Sequence, residues 1–337
     1  MRAFIVPRSD MPVPNHRYDV FNGDADGICA LLQLRLQDDE PEARLVTGVK
    51  RDIRLLEKIQ VRPRDRITVL DISLDSNRAG LERALAAGAR LSWFDHHYAG
   101  EIPPHANLLA CIDTSAGVCT SLLVDRHLGG AQHTWAIVGA FGDNLDAAAR
   151  RLAREAGFDA QQAALLRDLG EALNYNAYGE SVADLRYPPT ELYRLLKQYR
   201  RPFTFIAEAP AFQVLREGYR EDMRFAEALR PALAEEGGLV FVLPDTAWAR
   251  RVSGVFANRL ASAHTERAIA VLTAKPGGGF LVSVRAPQAR PDGADALCRQ
   301  FESGGGRKAA AGINHLPEAD YERFVAAFAA AGWAGSA

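Results

Sequence analysis

The first half of the chain repeats one device: a short apolar run ends, and a carboxylate or histidine follows at once. Tyr18-Asp19-Val20-Phe21 leads into Asn22-Gly23-Asp24-Ala25-Asp26-Gly27, and Ile67-Thr68-Val69-Leu70 leads into Asp71. Leu91-Ser92-Trp93-Phe94 leads into Asp95-His96-His97, and the run Ala136 to Phe141 leads into Gly142-Asp143-Asn144. Amphipathic stretches lie between: Ile28 to Gln37, a stretch through Ile53, Leu56 and Ile59, and Ser76 to Ala87, with a short strand near Leu45-Val46. Strands alternating with helices at this period predict a parallel α/β sheet with helices on both faces. In open sheets of that kind ligands gather at the carboxyl ends of the strands. The chemistry of this chain is therefore expected where its apolar runs stop.

The remainder divides by composition. From about Asp146 to Glu235 the pattern is mostly helical, broken by Pro188-Pro189, Pro202 and Gly237-Gly238. A second α/β pattern follows, with strands at Leu239 to Leu243, Ala268 to Leu272 and Phe280 to Val284. Helices are expected at Val252 to Ala263, Gly293 to Phe301 and Glu318 to Ala330, with a turn at Lys275-Pro276-Gly277-Gly278-Gly279 and a glycine-rich loop after Phe301. The expected organisation is a parallel-sheet domain over 1–190, a helical linker over 191–235 and a smaller α/β domain over 236–337. A length of 337 residues suits two domains.

Several function classes recede on composition. Forty Lys plus Arg balance forty-two Asp plus Glu, for a net charge of −2, so no basic field advertises long nucleic acid. No run reaches the length needed to span a bilayer, and the apolar patch at the N-terminus is broken by Pro7, unlike a secretory signal. Cys29, Cys111, Cys119 and Cys298 lie scattered, with no C-x-x-C pair. The reading is a cytoplasmic protein of reduced thiols, with no membrane partner.

A single Asp after a strand is usually a helix N-cap. Four acidic sites on one sheet edge are different, because crowded carboxylates raise each other's pKa unless cations neutralise them. Aspartates with one histidine form a hard O/N ligand set that suits Mn²⁺ or Mg²⁺. The ligands suffice for two ions about 3.5–4 Å apart, the spacing of two-metal phosphoester chemistry. Asp71 is placed to bridge them.

These residues carry a family resemblance. FNGDADG, LDIS, FDHH and FGDN stand in the order and rough spacing of the DHH phosphoesterases, and GGGRKAAAG (Gly304 to Gly312) resembles the glycine-rich motif of the accompanying DHHA1 domain. The likeness spans nearly the whole chain. It implies an N-terminal DHH domain and a C-terminal DHHA1 domain. It implies Asp24, Asp26, Asp71, His96 and Asp143 as metal ligands, His97 at the scissile phosphate, and Asp95 orienting the pair. Two departures stand out: Asn22 occupies the place where relatives carry a His or Asp ligand, and Arg307 follows the three glycines where relatives commonly have His.

In the second domain Gly304, Gly305 and Gly306 would let backbone approach a phosphate, with Arg307 and Lys308 adding charge beside it. Ser283 and Arg285 match a strand of relatives that adds a phosphate contact, and Arg251 is a weaker candidate. Ala309-Ala310-Ala311-Gly312 is expected to pack as a helix against the sheet. Asn174-Tyr175-Asn176-Ala177-Tyr178-Gly179 could stack a base or simply pack a helix end. The expected function is a Mn²⁺-dependent phosphodiesterase that cuts short linear oligonucleotides, favouring dinucleotides such as pGpG, into mononucleotides. The alternatives are a 3′-phosphoadenosine 5′-phosphate phosphatase, a single-strand exonuclease and a catalytically weak nucleotide sensor. A homodimer is compatible with the sequence.

Overall fold

Strand register sets the geometry of the first half. The computed structural model describes residues 16–333. Strands β1 (Arg17–Phe21), β2 (Arg44–Val46), β3 (Arg66–Leu70), β4 (Arg90–Asp95) and β5 (Leu108–Ile112) form a sheet in the order β2-β1-β3-β4-β5. All its pairings are parallel. Phe21 lies opposite Leu70, and Leu70 opposite Phe94. The residues that follow this row leave from one level edge. The chain leaves β1 for β2 on one side and leaves β3 for β4 on the other, so the carboxyl ends of β1 and β3 flank the crevice where such sheets bind ligands.

The period-two alternation of these strands feeds two cores. Val20, Val69 and Trp93 bury against Leu55, Leu56 and Leu81 on one face. Phe21, Leu70 and Phe94 bury on the other against Ile28, Leu31, Leu32 and Trp135. Helix α1 (Ala25–Gln37) covers that second face with α3 (Thr120–His127), α4 (His133–Gly142) and α6 (Ala160–Tyr175), while α2 (Arg78–Ala86) covers the first. The α/β class with helices on both faces is as expected.

Three local expectations need correction. The run Ala136 to Phe141 is the buried body of α4 and not a strand, a distinction that periodicity alone cannot make for a short all-apolar segment. The stretch around Leu56 forms only one 3₁₀ turn, Leu55–Lys58. Strand β5 completes the sheet beside β4 without having been expected.

The remaining helices are α5 (Asp146–Glu155), α7 (Pro189–Leu196), α8 (Pro202–Glu208) and α9 (Pro210–Glu227). Two compact units result. One holds the described residues through Ala177 with Ser181–Arg216, and the other holds Tyr178–Glu180 with the described residues from Glu217 onward. The segment 191–235 is thus shared out and does not form a separate body. Leu192, Leu196 and Phe205 bury in the first unit's core, and α9 carries the boundary.

In the second unit β6 (Leu233–Ala234), β7 (Gly238–Leu243), β8 (Ala268–Ala274), β9 (Phe280–Arg285), β10 (Gly304–Arg307) and β11 (Ala310–Leu316) form a mixed sheet ordered β10-β11-β9-β8-β7-β6. Its helices are α10 (Ala247–Ala263), α11 (Ala294–Cys298) and α12 (Tyr321–Ala330). The glycine-rich segment expected as a loop is strand β10, and Ala310 to Gly312 belong to β11, not to a helix. Lys308-Ala309 forms the two-residue turn between Arg307 and Ala310, the shortest loop that reverses an antiparallel pair. Glycine is required at two positions of β10. A Cβ on Gly304 would stand 1.8 Å from the Cys298 carbonyl oxygen, and one on Gly306 (φ +142) would stand 2.5 Å from Ala311 Cα. Among the described residues no helix is long and apolar enough to cross a membrane.

Candidate metal centre

The site is built where β1, β3 and β4 stop. Asp24 caps α1, its Oδ1 accepting from the Gly27 amide at 3.0 Å. Asp26, in the first turn of α1, faces the start of α3, where the Thr120 amide donates to its Oδ2 at 2.8 Å and the Ser121 amide to its Oδ1 at 2.7 Å. A carboxylate suits a helix N-terminus, whose first amides lack partners. Asp71 follows β3 with φ +59, a left-handed conformation that Asp tolerates better than most residues. Its amide donates to the Phe94 carbonyl, and its Oδ1 accepts from the Thr120 hydroxyl at 3.1 Å. Asp71 is therefore no helix cap.

His96 joins these groups. Its Nε2 lies 3.4 Å from Asp71 Oδ1, 3.8 Å from Asp143 Oδ2 and 3.9 Å from Asp26 Oδ2. Ligand atoms bonded at about 2.1 Å to one six-coordinate ion stand about 3 Å apart, so each of these carboxylates lies close to the separation at which it shares a divalent cation with His96. Asp26, His96 and Asp143 form one potential ligand trio, and Asp71, His96 and His97 form another. Three carboxylate oxygens and one imidazole nitrogen are a hard donor set that fits Mn²⁺ or Mg²⁺. Asp143 arrives differently from the others, as the C-cap of α4, and Asn144 beyond it turns back with φ +61. A helix C-terminus favours a cation over a carboxylate, which strengthens the demand for one here.

Titration behaviour reports the same crowding. Burial pushes the Asp71 carboxyl well above its ordinary value, and the charges of Asp24, Asp26, Asp143 and Asp95 push it further. Burial and then Asp26 and Asp24 raise Asp143 to about 7, against a downward pull from Lys50 and His97. Asp24 moves the other way. Burial alone would raise it, but the Lys50 charge and hydrogen bond, the Gly27 amide and a hydrogen bond with Asp71 together hold it below its ordinary value.

Asp95 ends β4 and is fully buried. Its Oδ1 lies 2.7 Å from His97 Nδ1, while its Oδ2 has no hydrogen-bond partner among the described residues. The rings of His96 and His97 are 4.4 Å apart, centroid to centroid. Burial disfavours charge on His97, but the Asp95 hydrogen bond and charge outweigh it and raise its pKa.

The first unit thus brings Asp24, Asp26, Asp71, Asp95, His96, His97 and Asp143 to one edge. Sequence reasoning missed Lys50, whose Nζ lies 2.5 Å from Asp24 Oδ2 and 3.2 Å from Asn174 Oδ1. A signal existed, because Lys50 lies just beyond the end of β2 and so obeys the strand-end rule that found the aspartates. Thr120 and Ser121 were missed as well. Asn22 is buried, and its Nδ2 donates to the Lys50 carbonyl at 3.4 Å.

In the stretch Asn174 to Gly179, Tyr175 is a core residue whose hydroxyl accepts from Arg186 Nε at 3.2 Å. Asn176 is buried against the Tyr187 backbone, donating to its carbonyl and accepting from its amide. Packing is the role these two show, and stacking is not available to Tyr175.

The second unit sets its candidates on one sheet face. Directly paired residues of an antiparallel ladder share a face. Gly305 opposes Gly312, which opposes Ser283, and Arg307 opposes Ala310, which opposes Arg285. The opposite face carries Val282, Val284, Ala311 and Ile313 into the core. A Cβ on Gly305 would meet nothing within 4 Å, so this face is open there. Arg285 Nε donates to Asn258 Oδ1 at 2.8 Å, and burial lowers its pKa. Lys308 Nζ lies 3.0 Å from Asp292 Oδ2 beside the turn, and Arg307 is exposed. Arg251 is not a solvated phosphate ligand. It is buried, and its Nε pairs with Asp222 Oδ2 at 2.7 Å. The four cysteines are free, and Cys119 is buried.

No family model and no curated protein matches the chain. Solved structures do. Exonuclease RecJ bound to manganese superposes with a TM-score of 0.62 at 20% identity, covering 94% of this chain and 90% of that one. A pGpG-specific phosphodiesterase, PggH from Vibrio cholerae, gives 0.56 at 16% identity over 93% of this chain and 97% of that one. RecJ in complex with Mn²⁺ from Thermus thermophilus gives 0.55 at 20% identity over 94% of this chain, which spans about half (52%) of the Thermus chain. The fold is shared with these proteins over nearly the whole chain.

Proposed function

We propose that this chain, which carries the DHH/DHHA1 fold, is a divalent-metal-dependent phosphodiesterase. Its substrates are short linear oligonucleotides, favouring dinucleotides such as pGpG, and its products are mononucleotides. One observation carries this reading: His96 Nε2 within 3.4–3.9 Å of carboxylate oxygens from Asp26, Asp71 and Asp143. A bound Mn²⁺ or Mg²⁺ polarises a phosphoryl oxygen and lowers the pKa of water. Around it the chain supplies position and proton control. Asp26 is held by the first amides of α3, and Asp71 by the Thr120 hydroxyl, so both carboxylates are oriented toward the site before an ion arrives. Asp95 accepts from His97 Nδ1–H and leaves Nε2 as the atom that meets the scissile phosphate.

Substrate length and base are read from chemistry. The net charge of −2 argues against the many phosphate contacts that long strands need. Arg285 and Arg307, with Ser283 and the open backbone at Gly305, suit a terminal phosphate, and an arginine can also grip guanine at O6 and N7. The similarity in fold to an exonuclease and to a pGpG-specific phosphodiesterase supports the class. Purified protein with Mn²⁺, offered labelled pGpG, other dinucleotides, pentanucleotides and long single strands, is expected to cut pGpG fastest. Faster cleavage of the long strand would overturn the short-substrate reading. Faster phosphate release from 3′-phosphoadenosine 5′-phosphate would replace it with a monoesterase.

A further inference from the structure

Five potential ligands point to two ions, but one of the five, Asp24, is already paired with a lysine. Asp24 Oδ2 lies 2.5 Å from Lys50 Nζ, and Asp24 Oδ1 accepts from the Gly27 amide. Lys50 is held there from several sides. Its ammonium also donates to Asn174 Oδ1 at 3.2 Å, its amide donates to the Ala177 carbonyl at 2.9 Å, and its carbonyl accepts from Asn22 Nδ2. Asn22 is thereby tied to Lys50. It is the residue at the end of β1 that would be asked to share an ion with Asp24, and it brings no negative charge.

We propose that Lys50 serves as the built-in cation of the Asp24 position, so that the centre takes one divalent ion per chain, on Asp26, Asp71, His96 and Asp143. The inference rests on the metal-dependent reading above and fixes its stoichiometry. The physics is charge crowding. An ion bonded at about 2.1 Å to the Asp24 oxygen that Lys50 holds would stand at most about 4.6 Å from the ammonium. Two cations on one mostly buried carboxylate repel strongly where the effective dielectric is low. Lys50 meanwhile serves the ends for which a second ion is usually needed. It neutralises Asp24 through a direct ion pair. An ammonium has no lone pair and no open coordination position, so Asp71 is a ligand of one ion and not a bridge between two.

The test is the manganese content of the full chain after equilibrium dialysis, read by elemental analysis and by the electron paramagnetic resonance of bound Mn²⁺. The wild-type chain is expected to hold one ion with an uncoupled Mn²⁺ spectrum. Asp24→Asn is expected to keep that one ion, and His96→Ala to lose it. Asn22→Asp combined with Lys50→Gln is expected to hold two ions with a spin-coupled spectrum. Two ions in the wild-type chain, or a fall from two to one in Asp24→Asn, would overturn the one-ion inference and leave the hydrolase reading standing. No bound manganese in the wild-type chain would overturn both.

Discussion

The Nδ1 atom of His97 lies 2.7 Å from Oδ1 of Asp95, a carboxylate that is fully buried and spends its other oxygen on no hydrogen bond among the described residues. The pair sets the tautomer of His97 and favours its charged form. Asp95→Asn is expected to lower kcat on a dinucleotide about 100-fold or more, the scale of a lost positioned acid or base. KM and manganese content are expected to change little. The kinetic constants and their pH profile check this, and an unchanged kcat would remove His97 from the chemistry.

The crowded carboxylates give the metal-free protein an unusual pH dependence. Asp143 titrates at about 7 when folded and at 3.8 in its unperturbed form, so the folded state binds more protons between those values. Stability contributed by that proton is present at low pH and is lost as pH rises through about 7. Thermal unfolding in chelator is therefore expected at higher temperature at pH 6 than at pH 8, with Asp143→Asn flattening the difference. Saturating Mn²⁺ reverses the order, because its ligands must be deprotonated. The same order with and without metal would contradict this picture of the site.

The three glycines of β10 separate into structure and access. Gly304→Ala forces a Cβ against the Cys298 carbonyl and is expected to destabilise the second unit by about 1–3 kcal/mol. Gly305→Ala meets open space, so unfolding is expected to change by less than about 0.5 kcal/mol while KM for the dinucleotide rises. Denaturant unfolding and steady-state kinetics on the two variants check the separation.

Arg251 and Asp222 form a buried ion pair, 8% and 1% exposed at their side chains. Removing one partner leaves the other charge buried alone. Arg251→Ala is expected to destabilise the protein by about 3–5 kcal/mol in urea unfolding. KM for the dinucleotide is expected to be unchanged, which distinguishes a structural arginine from a substrate ligand.

Much of this was legible in the sequence because strands announce themselves by where apolar runs stop. Phe21, Leu70 and Phe94 each end such a run, and their level register delivers Asp24, Asp26, Asp71, Asp95 and His96 to one edge. Asp143 was found for the wrong reason, since Ala136 to Phe141 is a buried helix and a fully apolar run has no period to read. Arg251 misled because its partner, Asp222, is distant in sequence and joined to it only by packing. The β10–β11 hairpin was hidden because glycine and alanine carry little strand preference of their own, and its pairing comes from the two-residue turn at Lys308-Ala309. Lys50 could be found by its place beyond the end of β2, but its partner could not, because only the three-dimensional structure sets its ammonium on Asp24.

The most direct test of the account is the Mn²⁺ binding isotherm of the wild-type chain beside that of His96→Ala, at neutral pH. Asp26, Asp71 and Asp143 converge on His96 Nε2, so the account predicts tight binding to the wild type. Its loss in the variant should exceed the roughly 10–100-fold that an outer-shell change typically costs. Equal affinity in the two proteins would show that no ion is held at His96, and the proposed centre would fall with it.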